Sequence, residues 1–175
     1  GIMQTSGIGS VAMGTNGGAI TLEKVVDLEA AVMNVNGAVN PDSVAYVTNY
    51  KVLTALKKLR AGGSTTGDGP FLFNVDGAAI GRYQTPAALN GYPLAATNQV
   101  PSTLTKGTSS GVCSALVMGD FSQAMVGFWG NGLEITVGED SDDFSKALTS
   151  VRGIVSYDVA VRDPKSFAAI LDITT

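Results

Sequence analysis

The sequence has no histidine, one cysteine and one tryptophan, and only 15% of its residues are charged. Each shortage narrows the chemistry. Without histidine no imidazole can serve as base for a serine nucleophile. One cysteine, Cys113, excludes an internal disulfide and any multi-cysteine metal site. It lies in an apolar run and reads as a small buried hydrophobe. No run of about 18 apolar residues exists, so no segment reads as a membrane-spanning helix. The N-terminus lacks the charged and apolar regions of a signal peptide. Basic residues number 11 against 15 acidic ones, a net charge of −4. Recognition of a phosphate backbone needs clustered positive charge, and the nearest approach to a cluster is Lys57, Lys58 and Arg60. These features fit synthesis in a cytoplasm.

What is present is apolar. Hydrophobic residues make up 45% of the chain, while charged ones fall well short of the about 25% usual in soluble domains. That balance fits an ordinary Ala- and Gly-rich domain. It also fits a chain whose surface largely meets other subunits, because interface cores are depleted of charge. The 175 residues suffice for one domain that buries roughly 70% of its unfolded surface, or for two small lobes on a shared sheet. The opening Gly1-Ile2-Met3-Gln4 has no Met at position 1 and reads as a fragment or a processed product.

Residues 1–18 are rich in Gly, Ser and Thr and read as loop. Thr21 caps a helix to about Met33, with Leu22, Val25, Leu28 and Val32 at helical spacing and Glu23 at the positive end. Asn36-Gly37 stops it, and Asn40-Pro41-Asp42 signals a turn. A short strand over 43–47 precedes a second helix over 49–60, whose apolar stripe is Val52, Leu53, Leu56 and Leu59. Lys57, Lys58 and Arg60 fall in its last turn, where the helix dipole favours cations. That gives the basic cluster a structural explanation, which is favoured over nucleic-acid contact.

A polar loop over 62–69 follows, then a hairpin of strands 71–75 and 79–83 around Asp76-Gly77. Further strands are expected over 92–97, 112–118 (buried on both faces), 126–129, 133–137, 148–161 and 167–173. A loop fills 98–111, and an acidic turn fills 139–143. Helices early and strands late predict an α+β fold rather than a doubly wound sheet.

The catalytic signals fail on context. Gly107-Thr108-Ser109-Ser110-Gly111 matches a G-x-S-x-G nucleophile elbow, which needs a strand before it, a helix after it and a base. Here a polar loop precedes and a strand follows, and Lys106 is the one nearby candidate base. Gly7-Ile8-Gly9-Ser10-Val11-Ala12 matches a relaxed dinucleotide fingerprint but neither follows a strand nor opens a helix. Glu139, Asp140, Asp142 and Asp143 lack the glycine and distal glutamate of an EF-hand loop and read as a solvated turn. No catalytic, cofactor-binding or metal-ligating residue is assigned, and no cofactor is implied. Phe121, Trp129 and Phe144 read as core.

An ordered series of motifs carries a resemblance. Asn40-Pro41 precedes a strand and a helix ending Leu56-Lys57-Lys58-Leu59-Arg60. Leu89-Asn90-Gly91-Tyr92-Pro93-Leu94, Gly119-Asp120-Phe121-Ser122 and Gly132-Leu133-Glu134-Ile135-Thr136-Val137 follow. Then come the acidic turn with Phe144, Arg152 in the next strand, and Asp163-Pro164-Lys165-Ser166-Phe167-Ala168. In this order and spacing the chain resembles the C-terminal half or more of the tailed-phage major capsid proteins, the Johnson fold.

The resemblance implies a structural shell subunit rather than an enzyme, built mainly as an axial lobe over 1–132. A β-rich segment of a peripheral lobe would occupy 133–162, and 163–175 would return as a final axial strand. It implies partners that are other copies of the chain in pentamers and hexamers, with packaged DNA nearby, and scaffold, protease or decoration proteins as further contacts, in a virion made in a bacterial cytoplasm. The loop over 61–69 would lie near the capsomer axis and order on assembly. The family's N-terminal arm, extended loop and spine helix have no counterpart in these 175 residues. The acidic turn would lie near a three-subunit junction, calling for a neighbour's basic segment or a divalent cation. Some members join subunits by a Lys–Asn bond; where the family's asparagine would fall stands Ala147, and where its assisting glutamate would fall stands Ile154. The alternative class is a small β-rich binding or adhesion module, which would show a concave polar-aromatic pocket.

Overall fold

A computed structural model describes residues 1–60 and 88–175. The expected loop over 62–69 and hairpin over 71–83 lie outside the described residues. The first helix, α1 (Leu22–Met33), starts where the sequence puts it: Thr21 is extended, and its hydroxyl accepts from the Lys24 amide at 3.3 Å. Val25, Leu28 and Val32 face inward. The second helix, α2 (Tyr50–Lys57), is capped by Asn49, whose side chain accepts from Val52 N at 3.0 Å and donates to the Pro101 carbonyl at 3.0 Å. It ends at Lys57, before the expected Arg60.

Both helices pack on one face of a seven-stranded mixed sheet. Its strands are β1 (Gly9–Ser10), β2 (Val44–Thr48), β3 (Ala88–Leu89), β4 (Tyr92–Ala96), β5 (Leu104–Lys106), β6 (Ser109–Asp120) and β9 (Phe167–Thr174). The order is β1-β9-β6-β2-β4-β3, with β5 also paired to β6. The fold is α+β, as the order of elements suggested. Two expectations need correction. The first 18 residues are not all loop, because Ile2–Gln4 forms a 3-10 turn and Gly9–Ser10 pairs in parallel with Ala168 and Ala169. The stretch 98–111 is not all loop either, because Leu104 and Lys106 pair with Cys113 and Ser109.

The central strand is β6. From Cys113 to Asp120 every residue is buried, as its unbroken apolar run implies. Cys113 is fully buried. Leu116 and Met118 join Val44, Tyr46, Ala168 and Ile170 under the helices, while Val117, Phe167 and Ala169 face the other way. That second face is partly covered by Ile2, Met3 and Ile8 from the N-terminal segment and by Phe121, whose ring meets Phe167 edge-on at 5.4 Å. Gly119 lies opposite Phe167 in the ladder, and a Cβ there would collide with the Phe167 ring.

At the end of β6 the buried Asp120 carboxylate ties three segments together. One oxygen accepts from Ser122 N at 2.9 Å and the other from Asn40 N at 2.8 Å. The Asn40 turn itself opens the 3-10 turn Pro41–Ser43. Burial pushes the Asp120 carboxyl up, but hydrogen bonds from the Ser122 side chain and from the Asn40, Ser122 and Val39 amides together outweigh it and hold the group below its ordinary value. Asp120→Ala leaves buried donors unpaired and should cost about 1–3 kcal/mol in urea unfolding. Because the folded value lies below the unfolded one, this contribution is complete above 3.8 and fades as pH falls through the folded value. The stability gap between wild type and Asp120→Asn should therefore narrow on acidification; a gap that is constant with pH would show that the carboxylate charge is not what holds this corner.

Candidate assembly surface

From Asp120 the chain passes through a 3-10 turn, Phe121–Gln123, into β7 (Ala124–Gly138) and returns along β8 (Ser150–Val161). The two strands pair antiparallel from Ala124↔Val161 to Gly138↔Ser150 and, among the described residues, with no other strand. The two expected strands, 126–129 and 133–137, are thus one strand with an irregularity. Arg162 clamps the root of this ribbon, its N–H donating to the Gln123 carbonyl at 2.9 Å and its Nε to Gln123 Oε1 at 2.8 Å. At the far end the acidic turn is one short helix, α3 (Ser141–Ser145). It closes with Leu148 N donating to Asp143 O at 2.9 Å and Ala147 in the left-handed region at φ 52°.

The ribbon is chemically two-sided. Directly paired residues share a face, so Val126 and Val159, Phe128 and Tyr157, and Val137 and Val151 stand on one side with Ile135 and, by alternation along β8, Val155. Every large side chain on that face is apolar or aromatic, and each is exposed, from 38% at Val159 to 67% at Val151. The other face mixes Met125, Trp129 and Ile154 with Glu134, Thr136, Arg152, Ser156 and Asp158.

Alternation along β7 changes parity on the way. Val126 and Phe128 are even-numbered, Ile135 and Val137 odd-numbered. The ladder supplies the reason: Trp129 pairs with Ser156 and Glu134 with Ile154, so residues 130–133 stand opposite Val155 alone. Three extra residues reverse the parity and keep the apolar side chains on one face. Gly130 and Gly132 make the excursion at φ +79° and +80°, a region glycine enters without steric cost. Leu133 returns over Gly153, its Cδ1 within 3.5 Å of where a Cβ would stand.

The enzyme-like strings fall in a hairpin, at an edge strand and at the ribbon's tip. Gly107 and Thr108 make the turn between β5 and β6, and Ser109 to Gly111 open β6; Thr108 N donates to Asn16 Oδ1 at 3.0 Å and Gly111 N to Thr105 Oγ1 at 3.1 Å. Lys106 and Ser109 are ladder partners, but among the described residues no side-chain hydrogen bond joins Lys106 to Ser109 or Ser110. The fingerprint-like segment is the edge strand β1, with no helix opening behind it. Glu139, Asp140 and Asp143 line a shallow hollow with Thr136, Ser150 and Arg152, and among the described residues no three potential ligands are placed to hold a metal ion. A hollow beside β1, lined by Ser10, Val11, Ala12, Leu104, Thr105, Lys106, Leu171 and Asp172, contains no aromatic side chain. Trp129 corrects a core assignment, being 58% exposed on the ribbon; the Phe144 side chain lies outside the description. The one-sided apolar face was the feature not anticipated, and the parity change in β7 was its signal.

The described residues thus form a body of helices on one face of a mixed sheet and a long ribbon whose apolar side is open. The sequence model of the phage capsid family matches residues 1–171, and the chain belongs to that family. Among solved structures the fold is similar to the capsid of a native GTA particle (TM-score 0.66, 21% identity, 99% of this chain and 56% of that one). It is also similar to Mycobacterium phage Che8 (0.58, 18%, 89% and 53%). A virus-like particle from Pyrococcus furiosus is similar as well (0.53, 14%, 97% and 58%). The chain therefore spans about half the length of these structures. Among curated proteins none matches it.

Two outcomes follow from the ribbon. The 175-residue chain should bind an environment-sensitive hydrophobic dye while fully folded, and Phe128→Ser with Tyr157→Ser should cut that fluorescence severalfold without lowering the melting temperature of the sheet; unchanged fluorescence would place the open apolar surface elsewhere. Ala147→Gly removes the Cβ penalty at the left-handed position and should stabilise the tip by about 0.5–1 kcal/mol, seen as slower amide exchange at Leu148.

Proposed function

We propose that this chain is part of the structural shell subunit of a phage or prophage capsid. The observation that carries the reading is the ribbon: eight exposed apolar side chains aligned on one face, in a member of the phage capsid family. A two-stranded ribbon is at best marginally stable alone in water, and an open apolar stripe of this length marks an interaction surface. Closed symmetric assembly adds many such contacts and needs none of them to be strong.

We assign the helix-covered sheet to the axial lobe. The division expected between 132 and 133 falls inside β7, so the peripheral lobe is better drawn from the ribbon's root, 124–161, with Phe167–Thr174 returning to the axial sheet. The partners are further copies of the chain, in pentamers and hexamers, with packaged DNA against the shell. The work is mechanical and no reaction is assigned: among the described residues the serine-rich turn meets no base and the acidic tip no converging ligands. The destination is the virion, after synthesis in the bacterial host.

The family's lysine–asparagine bond would not form here. Ala147 offers no carboxamide, and although Glu134 stands across the ribbon from Ile154, a carboxylate without its amide has no reaction to assist. Expression of the full-length polypeptide should give closed shells by electron microscopy. Those shells should run as single-chain bands on a reducing, denaturing gel. Full-length protein that stays monomeric at high concentration would refute the shell reading, and a persistent ladder of covalent multimers would refute the absence of the cross-link.

A further inference from the structure

The helical layer presents two outward stripes of opposite sign. On α1, Glu23 and Val26 are exposed and Asp27 is half-exposed, at spacings of three and four that place them side by side. The helix's one cation, Lys24, is already held by Asp27 at 2.9 Å, and Glu29 on the flank accepts from Asn90 Nδ2 at 3.4 Å. This side of the molecule is therefore net acidic.

On α2 the signs are reversed. Tyr50, Lys51, Thr54, Lys57 and the C-cap residue Lys58 are exposed, and no acidic residue occurs between Ser43 and Arg60. Lys51, Lys57 and Lys58 have no ion-pair partner among the described residues, and no ion pair joins α1 to α2 there. The helix dipole accounts for Lys57 and Lys58 in the last turn. It does not account for Lys51, which sits in the first turn, at the positive end, where a cation is disfavoured. Each stripe also carries one large apolar side chain among its charges, Val26 at 48% exposed on α1 and Tyr50 at 52% on α2. On each helix an exposed apolar side chain thus lies in a patch of mainly one sign, and the two patches are complementary in charge.

We propose that the basic stripe of α2, centred on Tyr50 and Lys51, docks on the acidic stripe of α1, centred on Val26, in a second copy of this chain. Two different patches in contact make a heterologous interface, which propagates around a ring instead of closing a pair. This rests on the shell-subunit reading and names a contact within its rings. Packaged DNA is the less suited occupant, because the acids of α1 share the same layer and repel phosphate.

The test is made on the full-length polypeptide with three variants. The first is Lys51→Glu/Lys57→Glu/Lys58→Glu, the second Glu23→Lys/Asp27→Lys, and the third carries all five changes. Sedimentation velocity and electron microscopy read assembly, and melting curves read folding. Each half-variant should lose about tenfold or more of its assembled fraction, and the five-site swap should regain it, since the signs again match. Half-variants that assemble like wild type overturn the pairing. So does a five-site variant that melts normally but stays unassembled. Shells of normal yield that have lost their DNA assign α2 to nucleic acid and overturn it as well. If a reversed variant fails to melt cooperatively, the neutral Lys51→Gln/Lys57→Gln/Lys58→Gln chain takes its place. Its assembly should be weaker than wild type and indifferent to salt, and a salt response equal to wild type overturns the pairing. Wild-type chains that form no oligomer under any condition sink the shell reading itself, whereas the preceding outcomes sink the α1–α2 contact alone.

Discussion

Everything in the body is referred to one strand buried on both faces. β6 gives one side to the helices and the other to the N-terminal segment, and its two edges pair with β2 and β9. A strand with no solvent-facing side cannot slip by a residue without exchanging the residues of its two cores. That constraint fixes the register of its neighbours, and the missing side chain at Gly119 lets the Phe167 end of β9 come close enough to pair. Burial also demands that the strand end cleanly. Asp120 does this by taking amide hydrogens from Asn40 on one side and Ser122 on the other, so one carboxylate both ends the core strand and starts the departure toward the ribbon.

The ribbon and the body differ in how their apolar surface is satisfied. In the body, Leu28, Leu56, Leu116 and Ile170 are covered by the chain itself. In the ribbon, side chains of the same kind are displayed. Backbone pairing and the Gln123–Arg162 clamp hold the ribbon's shape, and its apolar face contributes no buried side chain within the described residues. This division explains how a chain low in charge and rich in apolar residues can be built around a core of ordinary size.

Much of this was legible in the sequence, and the failures are informative. α1 was legible because cap, periodicity and stop signal agree: Thr21, the Val25-Leu28-Val32 stripe and Asn36-Gly37. β6 was legible because an apolar run with no alternation has few other uses. β5 was missed because Leu104-Thr105-Lys106 is too short and polar to signal a strand; it exists by pairing with β6. The long strand β7 read as two because its alternation breaks phase at 130–133, and phase is the main signal a strand offers. Trp129 reads as core because aromatic side chains that a strand covers and those it displays carry the same signal. No pattern within one sequence distinguishes them.

The excursion at 130–133 sets a rule of arithmetic for the ribbon. Its three surplus residues turn the distal half of β7 over relative to the proximal half. Adding or removing two residues there would leave Val126, Phe128, Ile135 and Val137 on a common side. Adding or removing one would send the distal pair to the face of Arg152 and Asp158, and neither face would then be wholly apolar. The number of surplus residues is thus free to change but not its oddness, and the ribbon could be lengthened or shortened here only in steps of two.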